Sequence, residues 1–259
     1  MSRDRDHNFD HFHQRFKQNI YASLKGRLRL AILWQDVQQH ILPLAAGRPL
    51  RVLDAGSGMG NFSQRLHEQG HQLLLCDISG KQLEDARLNF SAAQASDSVR
   101  FVQQPFQQLA DDSDQQFDLV LSHAVLEWLT DPQQGIGALQ QLISPGGWLS
   151  LLFFNRHSLI YRHLLNGNFK RVRSGDLAGE GKYLTPDNPL IPEQVYDWLE
   201  DSGLQIVACS GVRTFTDFMD RGMRDKLPFE ELLEMELRYS SQEPFRSLAR
   251  YIHVICHKP

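Results

Sequence analysis

Cysteine is scarce and scattered. Only Cys76, Cys209 and Cys256 occur in the 259 residues, an odd number with no C-x-x-C or His-rich spacing. That excludes a disulfide framework and the usual zinc modules. The three read as reduced thiols that behave as small hydrophobes. Long apolar runs are also missing. The stretch from Trp148 to Phe154 is strand-sized, far short of the roughly 20 residues a membrane helix needs. The start, MSRDRDHNFD, has no apolar signal region, which predicts a chain that is not exported and works in the cytoplasm. There is no surplus of basic charge: 27 Lys and Arg stand against 31 Asp and Glu, for a net charge of −4. A uniformly basic nucleic-acid binder is excluded, while a local basic face remains open. Internal repeats and low-complexity segments are absent, the glutamines being diffuse.

What is present is globular. Hydrophobic residues make up 41% and charged residues 22%, and the length suits one large α/β domain carrying insertions. Phe9, Phe12, Phe16 and Ile20, followed by Leu24, Leu28, Ala31 and Ile32, recur at helical steps and predict helices through residues 1–46. Pro43 and Gly47 close that segment. Strands then alternate with helices: strands at Leu50–Asp54, Gln72–Asp77, Arg100–Gln103, Phe117–Ser122 and Gly147–Phe154, helices at Asn61–Gln69 and Lys81–Phe90, an acidic loop with Asp111, Asp112 and Asp114, and a helix ending near Ser144–Gly147. Strands in sequence with helices predict a doubly wound, mostly parallel sheet. Residues 155–192, rich in Gly and Pro, read as an insertion or lid with no sheet element. This insertion is basic on balance, with Arg156, Arg162, Lys170, Arg171, Arg173 and Lys182. A solvated loop with no partner is the alternative. A helix at Val195–Asp201, a strand near Ile206–Cys209, an acidic helix at Phe229–Tyr239 and a last strand at Tyr251–Cys256 complete the chain.

The chemistry concentrates at Leu50 to Gly60. A buried strand ends in a turn with Gly56, Gly58 and Gly60, where the absence of a Cβ lets a ligand lie across the backbone. The spacing departs from the G-x-G-x-x-G of dinucleotide binders, which disfavours an oxidoreductase. The second strand ends at Asp77, 17 residues after Gly60, where an acid can accept both hydroxyls of a ribose.

Val52 to Gly60 resembles the first motif of the Rossmann-like S-adenosylmethionine-dependent methyltransferases. Asp77 matches that family's ribose acid, Phe117-Asp118-Leu119-Val120 its fourth motif, and Leu142 to Leu149 its fifth. A narrower resemblance runs over most of the chain, to the bacterial tRNA 5-carboxymethoxyuridine methyltransferases. It is carried by Asn19-Ile20-Tyr21, Lys25-Gly26, Ala31 to Asp36, His123 to Trp128, Gly167-Asn168-Phe169, Gly211-Val212-Arg213, Gln242-Glu243-Pro244 and Arg250 to Val254. The resemblance implies S-adenosylmethionine as cofactor, held by Arg29, Gly56, Ser57, Asp77, Phe106, Gln107 and His123. Arg29 suits the cofactor's methionine carboxylate, with an exposed helix arginine as the alternative. The string Gln104-Pro105-Phe106-Gln107 departs from the family's small residues there. His123, taken alone, reads as a core histidine.

The implied substrate is 5-carboxymethoxyuridine in the anticodon loop of tRNA. Its carboxylate titrates near 4, so it is already the nucleophile, and no proton-transfer residue is expected; nor is a metal or a membrane. Tyr21, Lys25, Arg213, Arg250 and His253 are the candidates for substrate contact. Arg156, Lys170, Arg171 and Arg173 are candidates for the RNA backbone. Two rivals stay open: a small-molecule carboxyl or hydroxyl methyltransferase, and a noncatalytic cofactor-binding scaffold.

Overall fold

The structure is a computed structural model that describes residues 23–45, 47–91, 98–112, 115–177, 186 and 188–259. Phe9 to Ile20 and Tyr21 lie outside these residues. The first described helix, α1 (Leu24–His40), starts at Ser23, whose side chain accepts from the Gly26 N–H at 3.2 Å. This is the usual use of a Ser at a helix N-cap. There follow β1 (Arg51–Ala55), α2 (Ser63–Glu68), β2 (Gln72–Asp77), α3 (Gly80–Ser91), β3 (Val99–Gln103), α4 (Phe106–Asp112), β4 (Phe117–His123), α5 (Pro132–Gln141) and β5 (Ile143–Phe154). The rest comprises α6 (Arg156–Leu165), α7 (Phe169–Ser174), α8 (Pro192–Asp201), β6 (Gln205–Val212), α9 (Arg221–Arg224), α10 (Phe229–Tyr239), α11 (Phe245–Leu248) and β7 (Tyr251–His257).

The seven strands form one sheet in the order β3-β2-β1-β4-β5-β7-β6. β1 to β5 are parallel, and β7 runs antiparallel between β5 and β6. The expected doubly wound, mostly parallel sheet is therefore present. Successive residues of the inner strands point to opposite faces, and both faces are covered. Leu53, Val120, Leu149 and Leu151 pack with Ile136 and Leu139 of α5 and Val195 and Leu199 of α8. Val52, Leu75, Leu119 and Leu121 pack with Ile32, Leu33 and Val37 of α1 and with Leu83 and Phe90 of α3. Each fully buried Leu, Ile or Phe contributes roughly 1.5–3 kcal/mol. Cys76 and Cys256 belong to this core, and burial pushes both thiols up to about 12. Among the described residues no helix is long and apolar enough to cross a membrane.

Two local readings are corrected. Asp111 and Asp112 do not lie in a loop but end α4. The stretch Ser144 to Gly147 lies within the span of β5, where a register shift against β4 and Gly146 at φ +75° absorb the turn. Residues 155–192, read as an insertion or lid with no sheet element, contain α6 and α7. Asn155 explains the start of α6: its Oδ1 accepts from His157 N–H, while its Nδ2 donates to the carbonyls of Ser247 and Ala249. Leu159 then packs against Phe154 and Leu177. Glycine and proline content outweighed this short apolar face in the sequence reading.

Candidate active site

Strand order reverses between β1 and β4, and a ligand crevice is expected at the carboxyl ends of those strands. A cavity opens there. The seven residues expected to hold the cofactor, Arg29, Gly56, Ser57, Asp77, Phe106, Gln107 and His123, all line it. They reach it from four strand ends and from α1, so the topology gathers positions nearly a hundred residues apart.

The glycine turn is shaped by sterics. Gly56 has φ +77°, and a Cβ there would lie 2.5 Å from Val125 Cγ2; at Gly60, φ +69°, it would lie 2.6 Å from Leu75 Cδ2. The N–H groups of Gly56 and Ser57 donate to the Cys76 carbonyl at 2.8 and 3.0 Å, which locks the turn onto β2. Asp77 does the same from its side chain, accepting from Gly58 N–H and Ser79 N–H, both at 2.8 Å. Asp77 thus braces the turn with its carboxylate at the cavity wall. Behind it, Asp54 accepts from the Ser63 hydroxyl at 2.5 Å. Burial raises Asp54 to about 7, the Ser63 bond working against it.

His123 closes β4. Its Nε2 is 2.9 Å from Ser150 Oγ, which is 2.8 Å from His253 Nε2, and His253 Nδ1 is 2.6 Å from Asp36 Oδ2 on α1. Burial first, then His253 and Arg29, hold His123 well below the usual imidazole range, so the ring meets the cavity uncharged. Ala124, next in the chain, has φ +61°. Such a conformation in a residue with a Cβ is concentrated at functional sites.

The substrate candidates divide. Lys25 Nζ is 3.0 Å from Asp217 Oδ1, Arg213 Nη2 is 3.2 Å and Arg250 Nε 3.5 Å from Asp217 Oδ2. Three cations thus surround one carboxylate whose side chain is 1% exposed, leaving two positive charges in excess. Burial pushes Asp217 up, but Arg213, Arg250 and Lys25 outweigh it and hold it down to about 2. Arg213 Nε and Arg250 Nε and Nη1 are buried with no hydrogen-bond acceptor among the described residues. The guanidinium of Arg213 lies 5.2 Å from the Tyr251 ring centroid and that of Arg250 4.6 Å from Phe154, and both rings line the cavity. The cluster therefore stands directly behind one aromatic wall. Arg213 itself has φ +62°.

His253 does not join them. It is 1% exposed and both its ring nitrogens are engaged inside the protein, so it presents neither nitrogen to the cavity and is linked to it through Ser150 and His123. Sequence reading missed Asp36, Glu127, Ser150 and Asp217. Asp36 and Glu127 sit inside the strings that carried the narrower resemblance, and Asp217 follows Arg213 by four residues. Their own residue types gave no separate signal.

Comparison with known proteins agrees with this fold. Residues 53–151, from within β1 to within β5, match the family model described as a methyltransferase domain. The tRNA 5-carboxymethoxyuridine methyltransferase of Escherichia coli strain K12 is 42% identical over 98% of this chain and 97% of its own length. The chain belongs to this methyltransferase family. A ubiquinone biosynthesis O-methyltransferase of Bordetella avium is 30% identical over 52% of this chain and 62% of that protein. Among solved structures, magnesium protoporphyrin IX methyltransferase from Synechocystis PCC 6803, with bound SAH, superposes with TM-score 0.64 at 15% identity, covering 97% and 96% of the two chains. This last likeness is one of fold. The chain is an S-adenosylmethionine-dependent methyltransferase.

Proposed function

We propose that the chain methylates the carboxylate of 5-carboxymethoxyuridine at the tRNA wobble position, giving the methyl ester, in the cytoplasm. The full-length similarity to the Escherichia coli enzyme of that name carries this reading. It reaches the substrate side as well as the cofactor side: Lys25, Arg213 and Arg250 all lie within the matched length.

The cavity suits the cofactor. The glycine turn leaves space across β1, Asp77 brings a carboxylate suited to ribose hydroxyls, Arg29 brings a guanidinium suited to a carboxylate, and Phe106 and Gln107 flank the opening after β3. S-adenosylmethionine, when bound, supplies an electrophilic sulfonium methyl. The protein's part is placement. Lys25, Arg213 and Arg250, with two charges more than Asp217 cancels, attract the substrate carboxylate. The aromatic wall of Phe154 and Tyr251 shields the approach from water, so positioning and partial desolvation supply the acceleration. No base is needed, because the carboxylate is ionised at neutral pH.

Contact with RNA falls to residues 155–192, which act as an insertion and lid on one methyltransferase domain spanning 1–259. Phe169 is 50% exposed at the start of α7, beside exposed Lys170 and Arg173. An exposed ring among cations suits an unpaired base stacked beside a phosphate backbone. Nucleoside mass spectrometry tests the whole reading. Wobble-modified tRNA incubated with labelled S-adenosylmethionine should yield labelled 5-methoxycarbonylmethoxyuridine. Labelled small metabolites with unlabelled tRNA would move the function to a small-molecule acceptor. Cofactor binding with no acceptor labelled in either pool would indicate a scaffold.

A further inference from the structure

Among the described residues three acids line the cavity, and two are occupied. Asp77 holds two backbone N–H groups and Asp54 the Ser63 hydroxyl. Glu127, in a single 3-10 turn (Leu126–Trp128) after β4, differs. It is 1% exposed, lines the cavity, and its Oε2 has no hydrogen-bond partner among the described residues. Apolar and aromatic side chains share the cavity wall with it, among them Val125, Leu129, Phe154 and Tyr251. Among the described residues the other charged and titratable groups lining the cavity are Arg29 from α1, Asp54 from β1, Cys76 and Asp77 from β2, His123 from β4 and Tyr251 from β7, while Arg213 and Arg250 stand behind the rings contributed by β7 and β5.

A buried carboxylate with one oxygen unpaired costs several kcal/mol. The neutral acid avoids that cost and carries one O–H donor, for which the described residues provide no acceptor. We infer that Glu127 is held as the neutral acid and donates its carboxyl proton in a hydrogen bond to a carboxylate bound in the cavity. The inference rests on the function proposed above, because the two carboxylates reaching this cavity are the methionine carboxylate of the cofactor and the carboxymethoxy group of the substrate. An ionised glutamate would repel either one. Burial raises Glu127 to about 8, against the backbone N–H groups of Glu127 and Phe154 and the charge of Arg29, which keeps the proton in place at neutral pH.

Glu127→Gln keeps a donor without an ionisable proton, and Glu127→Leu removes the donor. At pH 7 the infrared difference between wild type and Glu127→Gln should contain the C=O band of a protonated carboxyl; a carboxylate band instead would overturn the inference. In turnover, read as S-adenosylhomocysteine release so that ester hydrolysis does not interfere, kcat/KM of the wild type should fall above about pH 8, since it reports the free enzyme. Glu127→Gln should lose that alkaline fall and stay within about tenfold of the wild type, with Glu127→Leu about 100-fold lower. A Gln variant as impaired as Leu would mean that the charge itself is required, and would equally overturn the inference. Calorimetry then separates the two sources. Weaker S-adenosylhomocysteine binding by Glu127→Leu assigns the partner to the cofactor, and unchanged binding with a raised KM for tRNA assigns it to the substrate. If the wild type transfers nothing to tRNA, the proposed function fails, while the infrared band and the S-adenosylhomocysteine titrations still decide the state and role of Glu127.

Discussion

Glu236 and Asp217 are two buried carboxylates that grip the same loop in opposite ways. Glu236, on α10, is 0% exposed and accepts from Thr214 N–H and Oγ1–H at 2.6 and 2.9 Å, from Thr216 N–H and Oγ1–H at 3.1 and 2.7 Å, and from Phe215 N–H at 3.4 Å. All five donors are neutral, and both oxygens are satisfied. Asp217, at the other end of that loop, is instead held by ion pairs to three cations, two positive charges more than it cancels. A buried charge closed off by neutral donors is a structural clasp. One that is over-neutralised beside a cavity leaves a positive potential for an anion. Glu236 builds the loop, and the Asp217 cluster uses it.

The sharpest way to break this contrast is Asp217→Asn. It leaves three cations crowded without a counter-charge, and should destabilise the fold by about 3–5 kcal/mol, read from urea denaturation. A loss below about 1 kcal/mol would mean that the cations are solvated, and the comparison would collapse. Arg213→Ala removes part of the anion site. It should lower kcat/KM for tRNA about 100-fold, or roughly 2.7 kcal/mol, while S-adenosylhomocysteine affinity by calorimetry stays within about twofold. Asp77→Ala should show the reverse, with affinity for the cofactor product falling by a similar factor. If both variants bind it normally, the ribose assignment of Asp77 is wrong.

Acid titration distinguishes the clasps further. The folded Asp217 titrates at about 2, below the ordinary carboxyl value of 3.8. Its contribution is therefore complete above about pH 4 and is lost as pH falls towards 2, an amount of roughly 2 kcal/mol. In Asp217→Asn that part of the pH–stability curve should flatten. Glu236→Gln, which keeps one oxygen acceptor, should cost about 1–2 kcal/mol and leave the tRNA KM nearly unmoved. The smallest effect is expected at Lys25, whose side chain is 41% exposed: Lys25→Ala should raise KM for tRNA about fivefold without changing thermal stability measurably.

Legibility followed locality. The glycine turn and Asp77 were readable because strand, turn and acid lie within one βαβ stretch, where backbone sterics tie residue type to position. Arg213 and Arg250 were named as substrate candidates, yet Asp217, the residue that organises them, was not, because an acid four positions from an arginine has many ordinary uses. His253 was misplaced for the opposite reason. Tyr251, two residues earlier and on the same face of β7, lines the cavity, but the register of β7 between β5 and β6 sets His253 further along the strand, against Ser150 and Asp36. The helices α6 and α7 were obscured by glycines, of which Gly167 and Gly175 in fact follow their ends.

By itself the sequence determined the sheet's character, the place of the cofactor turn and the family, since each depends on short-range pattern: apolar runs, glycine backbone freedom and an acid at a strand end. Only the tertiary structure decided which charges share a site and which are spent inside the protein. The protonation of Glu127, the surplus around Asp217 and the inward turn of His253 depend on burial and on neighbours tens to hundreds of residues away, and electrostatic interactions strengthen as water is excluded.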